Sequence, residues 1–193
     1  MRTREFLDIV ARYALVMLFS LNNLGIFYLL FAPLTIYPVL WLLSLFYHAS
    51  LSGNIISISL GSEKISIELV DACIAGFAYF LLFALNLATR SIKIKTRIFS
   101  LLFVFFAFLF LNILRIIILS ALCIGNFAYF DIVHSLFWNI LSTLFVVGIW
   151  FLSVWLFRIK DIPGYSDLRF IYKYTKRKKG KEKIQRTRKK NKV

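Results

Sequence analysis

The sequence predicts an all-α integral membrane helical bundle with four to five transmembrane segments and a small extracytoplasmic β-hairpin before the helix that opens at Asp71. Three observations predict it. Hydrophobic residues make up 60% of the 193 positions, where soluble domains are nearer half. They gather into runs close to the roughly 20 residues that a helix needs to cross a bilayer. The basic residues are segregated, with fifteen Lys and Arg between Arg158 and Val193 against Asp161, Asp167 and Glu182. One segment, Asn54 to Leu69, alternates apolar and polar residues, which is a strand signature. The chain therefore divides into a membrane-embedded domain, residues 1–157, and a basic cytoplasmic tail, residues 158–193.

Arg12 to Phe31 is the first apolar run, interrupted by Asn22, Asn23 and Gly25. Its basic flank, with Arg2 and Arg4, favours the cytoplasm. Glu5 and Asp8 interrupt that flank and no small-residue cleavage site follows, so it does not read as a cleavable signal peptide. Pro33 is expected to end this helix, because proline lacks an amide proton and clashes with the preceding turn. Leu34 to Ala49 is shorter, contains Pro38 and closes on Phe46, Tyr47 and His48; it reads as a half-helix or a short span. Ile56, Ile58 and Leu60 then alternate with Ser57 and Ser59. Ile65, Ile67 and Leu69 alternate with Ser66 and Glu68, about a turn at Gly61-Ser62. Open strand edges cannot face lipid, so this hairpin belongs in water or among headgroups.

Asp71 to Ala88 reads as a span. Thr89 to Arg97, carrying Arg90, Lys93, Lys95 and Arg97, reads as a cytoplasmic loop. Ile98 to Ile124 is the most apolar stretch, Gly125 to Asp131 is a loop without Lys or Arg, and Ile132 to Phe157 is the last span. Five full crossings with the tail inside would place Arg2, Arg4 and Arg12 outside. A non-crossing or re-entrant Leu34 to Ala49 removes that conflict; five spans with an outer N-terminus is the alternative. The tail has few interleaved aromatics beyond Tyr172 and Tyr174, so it suits anionic lipid headgroups rather than nucleic acid. Its distal part has too little apolar content to fold alone.

Three polar residues stand out against this background: Cys73, Arg115 and His134. Cys73 and His134 open their helices at the outer side. Arg115 lies about 8–14 Å below the outer end of its own helix at 1.5 Å per residue, within reach of that end by snorkelling. The three therefore arrive at one membrane level. Asp71 can cap its helix and place Cys73 in the first turn, where unpaired amides suit a thiolate. Asp131 precedes His134 by three residues, and the imidazole can accept a proton. The Arg115 fork can hold a thiolate, an oxyanion or a carboxyl group, and Asn112, one turn earlier, can orient it.

Plainer readings stand beside these. A single cysteine behaves as a small buried hydrophobe, and His134 can be an interfacial polar residue. Cys73 and Cys123 can form a disulfide outside the cytoplasm. His48, Cys73, Cys123 and His134 lack the close ligand spacing of a metal site, and the sequence calls for no cofactor. Arg115 is the exception, because an arginine within a membrane span is a functional candidate by default.

At these residues the chain resembles the exosortase/archaeosortase family of multi-span membrane cysteine proteases and transpeptidases. The matching stretches are VDACIAG with Cys73, NILRIIIL with Asn112 and Arg115, and DIVHSLFWNI with His134. They occur in the family's order and follow a hairpin-like segment; the likeness covers Leu51 to Phe157. The family pattern has Ser or Thr and then Gly directly after the cysteine, where this chain has Ile74 and Ala75. The resemblance implies a multi-pass cell-membrane enzyme with an extracytoplasmic site. Cys73 would attack a peptide carbonyl, His134 would serve as base and then acid, and Arg115 would hold the thiolate or oxyanion. Its partners would be surface-protein precursors whose C-terminal signals join a short motif, a transmembrane helix and a basic tail. A lipid, a cell-surface acceptor or water would resolve the acyl-enzyme. The small residues Ala72, Ala75, Gly76 and Ala78 would let a substrate helix approach from lipid.

Two rivals come from other classes. A non-enzymatic scaffold or assembly factor would use Arg115 as a structural tie to Asp71 or Asp131. A small anion transporter would use it to bind cargo, although such proteins usually carry repeats or paired interrupted helices, which this sequence lacks.

Overall fold

The computed structural model describes residues 2–21, 25–60, 63–89, 92–125, 128–159, 161, 163 and 172. Most of the basic tail, Arg90 and the Gly61-Ser62 turn lie outside the described residues. The helices are α1 (Arg2–Leu21), α2 (Gly25–Ser44), α3 (Asp71–Ile74), α4 (Gly76–Ala88), α5 (Ile94–Ile124), α6 (Phe130–Leu136) and α7 (Ser142–Leu156). The strands are β1 (His48–Ser52), β2 (Ile55–Leu60) and β3 (Glu63–Glu68). Among the described residues, three helical stretches are long and apolar enough to cross a membrane: α2, Asp71–Ala88 and α5. Helix α7 is apolar but shorter, and it continues α6 through one π-helical turn, Phe137–Leu141.

The first correction concerns Pro33. It does not end a helix, and Leu34 to Ala49 is not a separate re-entrant element. Both Pro33 and Pro38 lie inside the 20-residue α2; apolar helices packed among neighbours tolerate the missing hydrogen bond by local adjustment. Within the first apolar run, α1 is described to Leu21 and α2 from Gly25.

Helix α1 lies along the far half of α4. Phe19 meets Phe83 edge-on at 5.1 Å, and Arg12 donates to the carbonyls of Leu87 at 2.9 Å and Thr89 at 3.3 Å. Helix α2 continues past the near half, where Phe31 stacks on Tyr79 at 3.5 Å. The main core forms among α2, α4, α5 and α7, around Phe31, Tyr79, Leu82, Val104, Phe108 and Trp150. A hydrogen-bonded chain of buried side chains crosses three of these helices: Asn86 donates to Ser100 at 2.9 Å, and Ser100 meets Ser153 at 2.8 Å. Exposed Leu29, Trp41, Phe106, Phe110 and Trp155 form an outer apolar surface suited to lipid.

The second correction concerns the hairpin. It is a three-stranded antiparallel sheet in the order β1-β2-β3. The expected alternation carries β2 and β3, and the segment from His48 adds a third strand paired from His48↔Ser59 to Ser52↔Ile55. Ile56, Ile58 and Leu69 pack with Ile36, Val39 and Leu43 of α2 and Ile116 of α5 in a second core. This core clamps the sheet onto the end of the bundle at which α3 begins.

Candidate active site

A cavity of about 220 Å³ opens between β3 and the helices. Its lining includes Cys73 from α3, Arg115 from α5 and His134 from α6, with Ser66 to Leu69, Ser120, Cys123 and Phe130 around them. The three polar residues expected to share one level therefore share one cavity. The reversal of direction between α4 and α5, and again between α5 and α6, brings them there.

Cys73 sits on a single helical turn that breaks almost at once. Ala75 has φ +57° and ψ +41°, the left-handed region, and serves both as the end of α3 and as the start of α4. A non-glycine residue there is sterically strained. The break interrupts the helical ladder beside the cysteine, and Asn112 Nδ2 fills the gap by donating to the Cys73 carbonyl at 2.8 Å. Asn112 thus fixes the backbone of Cys73 rather than orienting Arg115. Gly76 follows at a close approach: a Cβ there would lie 2.8 Å from the Tyr28 ring. The small face expected to receive a substrate helix is thus filled, at Gly76, by the chain's own α2.

Arg115 is 3% exposed. It lies within electrostatic reach of the Cys73 sulfur. One Nη1 hydrogen goes to Ser142 Oγ at 2.8 Å, while Nε has no partner. Ser142 is held in turn by the π-helical turn, because its hydroxyl and its amide both donate to the Phe137 carbonyl. The extra residue in that turn offsets α7 from α6 and leaves a carbonyl able to anchor the hydroxyl. No carboxylate pairs with Arg115 among the described residues. Asn112 Oδ1 is likewise buried and unpartnered. A buried N–H without an acceptor costs on the order of 1–3 kcal/mol, and this one belongs to a side chain that lines the cavity.

His134 stacks on Phe130 at 5.6 Å with ring planes 6° apart, and its other side meets Trp138 edge-on at 6.2 Å. These neighbours, one helical turn either way, restrict the imidazole. It lies in the last turn of α6 rather than the first.

The two supporting carboxylates do not take their expected places. Asp71 caps nothing with its side chain; Val70 is the N-cap residue. Asp71 and Asp131 are exposed and absent from the cavity lining. Glu68 of β3 is the acidic residue at the cavity instead. Both cysteines are free thiols here. Sequence reasoning missed Ser142, whose only signal is its place beside Thr143 in a largely apolar run. It also missed β3 as a wall of the site. No family model, curated protein or solved structure matches the chain.

Proposed function

We propose that this protein is a membrane-embedded cysteine peptidase or transpeptidase of the exosortase/archaeosortase kind, which cleaves C-terminal sorting signals of surface proteins and transfers them to a lipid or cell-surface acceptor. The observation that carries this reading is the meeting of a thiol, a buried guanidinium with a free N–H and an imidazole around one cavity. Acyl transfer needs a nucleophile, a proton carrier and an oxyanion donor, and these three groups supply one each.

In the first step the Cys73 sulfur, deprotonated by His134, attacks the scissile carbonyl carbon. The carbonyl oxygen becomes an oxyanion beside Arg115, whose Nε needs an acceptor. The C–N bond then breaks, and the departing amine takes its proton from the His134 imidazolium. In the second step an acceptor hydroxyl, amine or water loses a proton to His134 and attacks the thioester, the C–S bond breaks, and Cys73 is regenerated. Arg115 has the stronger claim as oxyanion holder, because a guanidinium pre-positioned in a cavity needs no reorganisation as charge develops.

In this reading α2, Asp71–Ala88, α5 and the helical path from Phe130 to Leu156 are four crossings. Arg12 and Arg97 both bind the carbonyl end of α4, so an even number of crossings keeps these cations and the basic tail on the cytoplasmic side. The sheet and cavity then face outward. A scaffold reading is weakened because no carboxylate pairs with Arg115 among the described residues.

The test is genetic and chemical. Cells carrying Cys73→Ala or His134→Ala should accumulate unprocessed surface-protein precursors while the protein itself stays at normal level. A membrane-impermeant maleimide applied to intact cells should label Cys73 in the wild type. Normal processing in the Cys73→Ala strain, or labelling of Cys73 from the cytoplasmic side alone, sinks the proposal.

A further inference from the structure

Strand β3 is an edge strand: it pairs with β2, and β2 pairs with β1 on its other side. Its pairing register settles which backbone groups are in use. The Leu69 amide donates to the Asn54 carbonyl at 2.9 Å, and the ladder continues through Ile67↔Ile56 and Ile65↔Ile58. In an antiparallel pair the amide and carbonyl of one residue point the same way, and those of the next point the opposite way. Ile65, Ile67 and Leu69 therefore turn their polar groups toward β2, while Ser66 and Glu68 turn theirs to the open edge.

The cavity identifies what lies along that edge. Ser66, Ile67, Glu68 and Leu69 all line it. Consecutive strand residues send side chains to opposite faces, so a cavity touching four in a row runs along the strand's edge rather than across one face. The same cavity is lined by Cys73, Arg115 and His134.

We infer that the substrate enters as an extended peptide that pairs with the open edge of β3 as a fourth strand, and so delivers its scissile carbonyl to Cys73. This rests on the acyl-transfer reading above and specifies how that reaction selects its substrate. The edge groups of Ser66 and Glu68 hold the peptide's main chain, which requires an extended conformation and no particular side chain. Side-chain selection falls to alternate residues of the peptide. A folded or helical segment cannot satisfy this edge, so the cleaved motif must lie in the extended stretch outside its transmembrane helix. Strand pairing also covers an edge that would otherwise be open to other chains.

The test uses the full-length protein in membrane vesicles and alkylation of Cys73, followed by mass spectrometry. Two reagents are compared: chloroacetamide, which needs only the thiol, and a tetrapeptide chloromethyl ketone, which can also pair with a strand. For each variant the peptide rate is divided by the chloroacetamide rate. In the wild type this ratio should fall at least tenfold when the probe is N-methylated at the residues whose amides face β3. N-methylation at the intervening residues should leave it unchanged. Ser66→Pro and Glu68→Pro, which remove the edge amides and spare the β2 ladder, should lower the ratio by a similar factor. If N-methylation acts equally at every position, or not at all, the fourth-strand inference is overturned and the enzyme reading survives. If neither reagent alkylates Cys73 from the outer side, both fall.

Discussion

Arg12 and Arg115 are the same side chain buried to the same degree, 5% and 3% exposed, yet their surroundings differ in kind. Arg12 is saturated. It bonds the carbonyls of Leu87 and Thr89 and pairs with Asp8 at 3.1 Å. Arg97 binds the same helix end through Asn86, Leu87 and Thr89. Two cations there satisfy the carbonyls that a helix leaves unpaired and complement its dipole. Arg115 has one hydroxyl partner and an idle Nε at a cavity. The acceptors around the first suit a structural tie, and the idle Nε of the second is what the proposed oxyanion role draws on.

The sharpest way to break this contrast is to truncate both arginines. Arg115→Ala should cut the rate of precursor processing by about 10²–10³-fold, the usual effect of removing one oxyanion donor, with little loss of folded protein. Arg115→Lys should rescue poorly, since an ammonium cannot reproduce the planar fork. Pulse-chase processing and the thermal midpoint in detergent read the two effects separately. A large fall in midpoint with unchanged processing would move Arg115 into the structural class.

Arg12→Ala should do the reverse. It removes one of the two cations that donate to the Leu87 and Thr89 carbonyls, Arg97 being the other, and should cost roughly 1 kcal/mol of stability, seen as a lowered midpoint. Processing per folded molecule should stay near wild type, because Arg12 sits at the far end of α4 from the cavity. A specific loss of turnover in Arg12→Ala would dissolve the division between the two ends.

Ser142 sharpens the comparison further. In the proposed reaction it is a positioning residue, acting only through the guanidinium it accepts from. Ser142→Ala should lower processing about tenfold, worth roughly 1.4 kcal/mol, and Ser142→Thr, which keeps the hydroxyl, should restore it. A purely structural hydroxyl would change the midpoint in both variants and the rate in neither.

What the sequence made legible divides along similar lines. Cys73, Arg115 and His134 were readable because polar groups in apolar runs are costly and conspicuous, and two chain reversals suffice to bring them to one level. Strands β2 and β3 were readable from their period. Strand β1 was not, because HASLS is short and follows an apolar helix. Arg12 and Arg97 read only as signs of membrane side, because their role as caps depends on which helix end lies beside them. Ser142 and the wall formed by β3 were hidden for the same reason: both are contacts between segments far apart in sequence. Pro33 misled, because the rule that proline ends a helix weakens among packed apolar helices.

The smallest predicted effect probes the backbone that presents Cys73. Ala75 stands where the resembled family pattern has glycine, and it occupies the conformation that glycine adopts without strain. Relieving a left-handed alanine is worth about 1–2 kcal/mol, and glycine's greater freedom in the unfolded chain offsets roughly half of that. Ala75→Gly should therefore stabilise the protein by about 0.5–1 kcal/mol and leave the carbonyl of Cys73 on Asn112. Ala75→Val, β-branched in a region closed to such residues, should destabilise and slow processing together, because the turn that holds the thiol at the cavity would have to open. If valine is tolerated and glycine gives no gain, the helix runs unbroken through residue 75 and the Asn112 bond to Cys73 loses its cause.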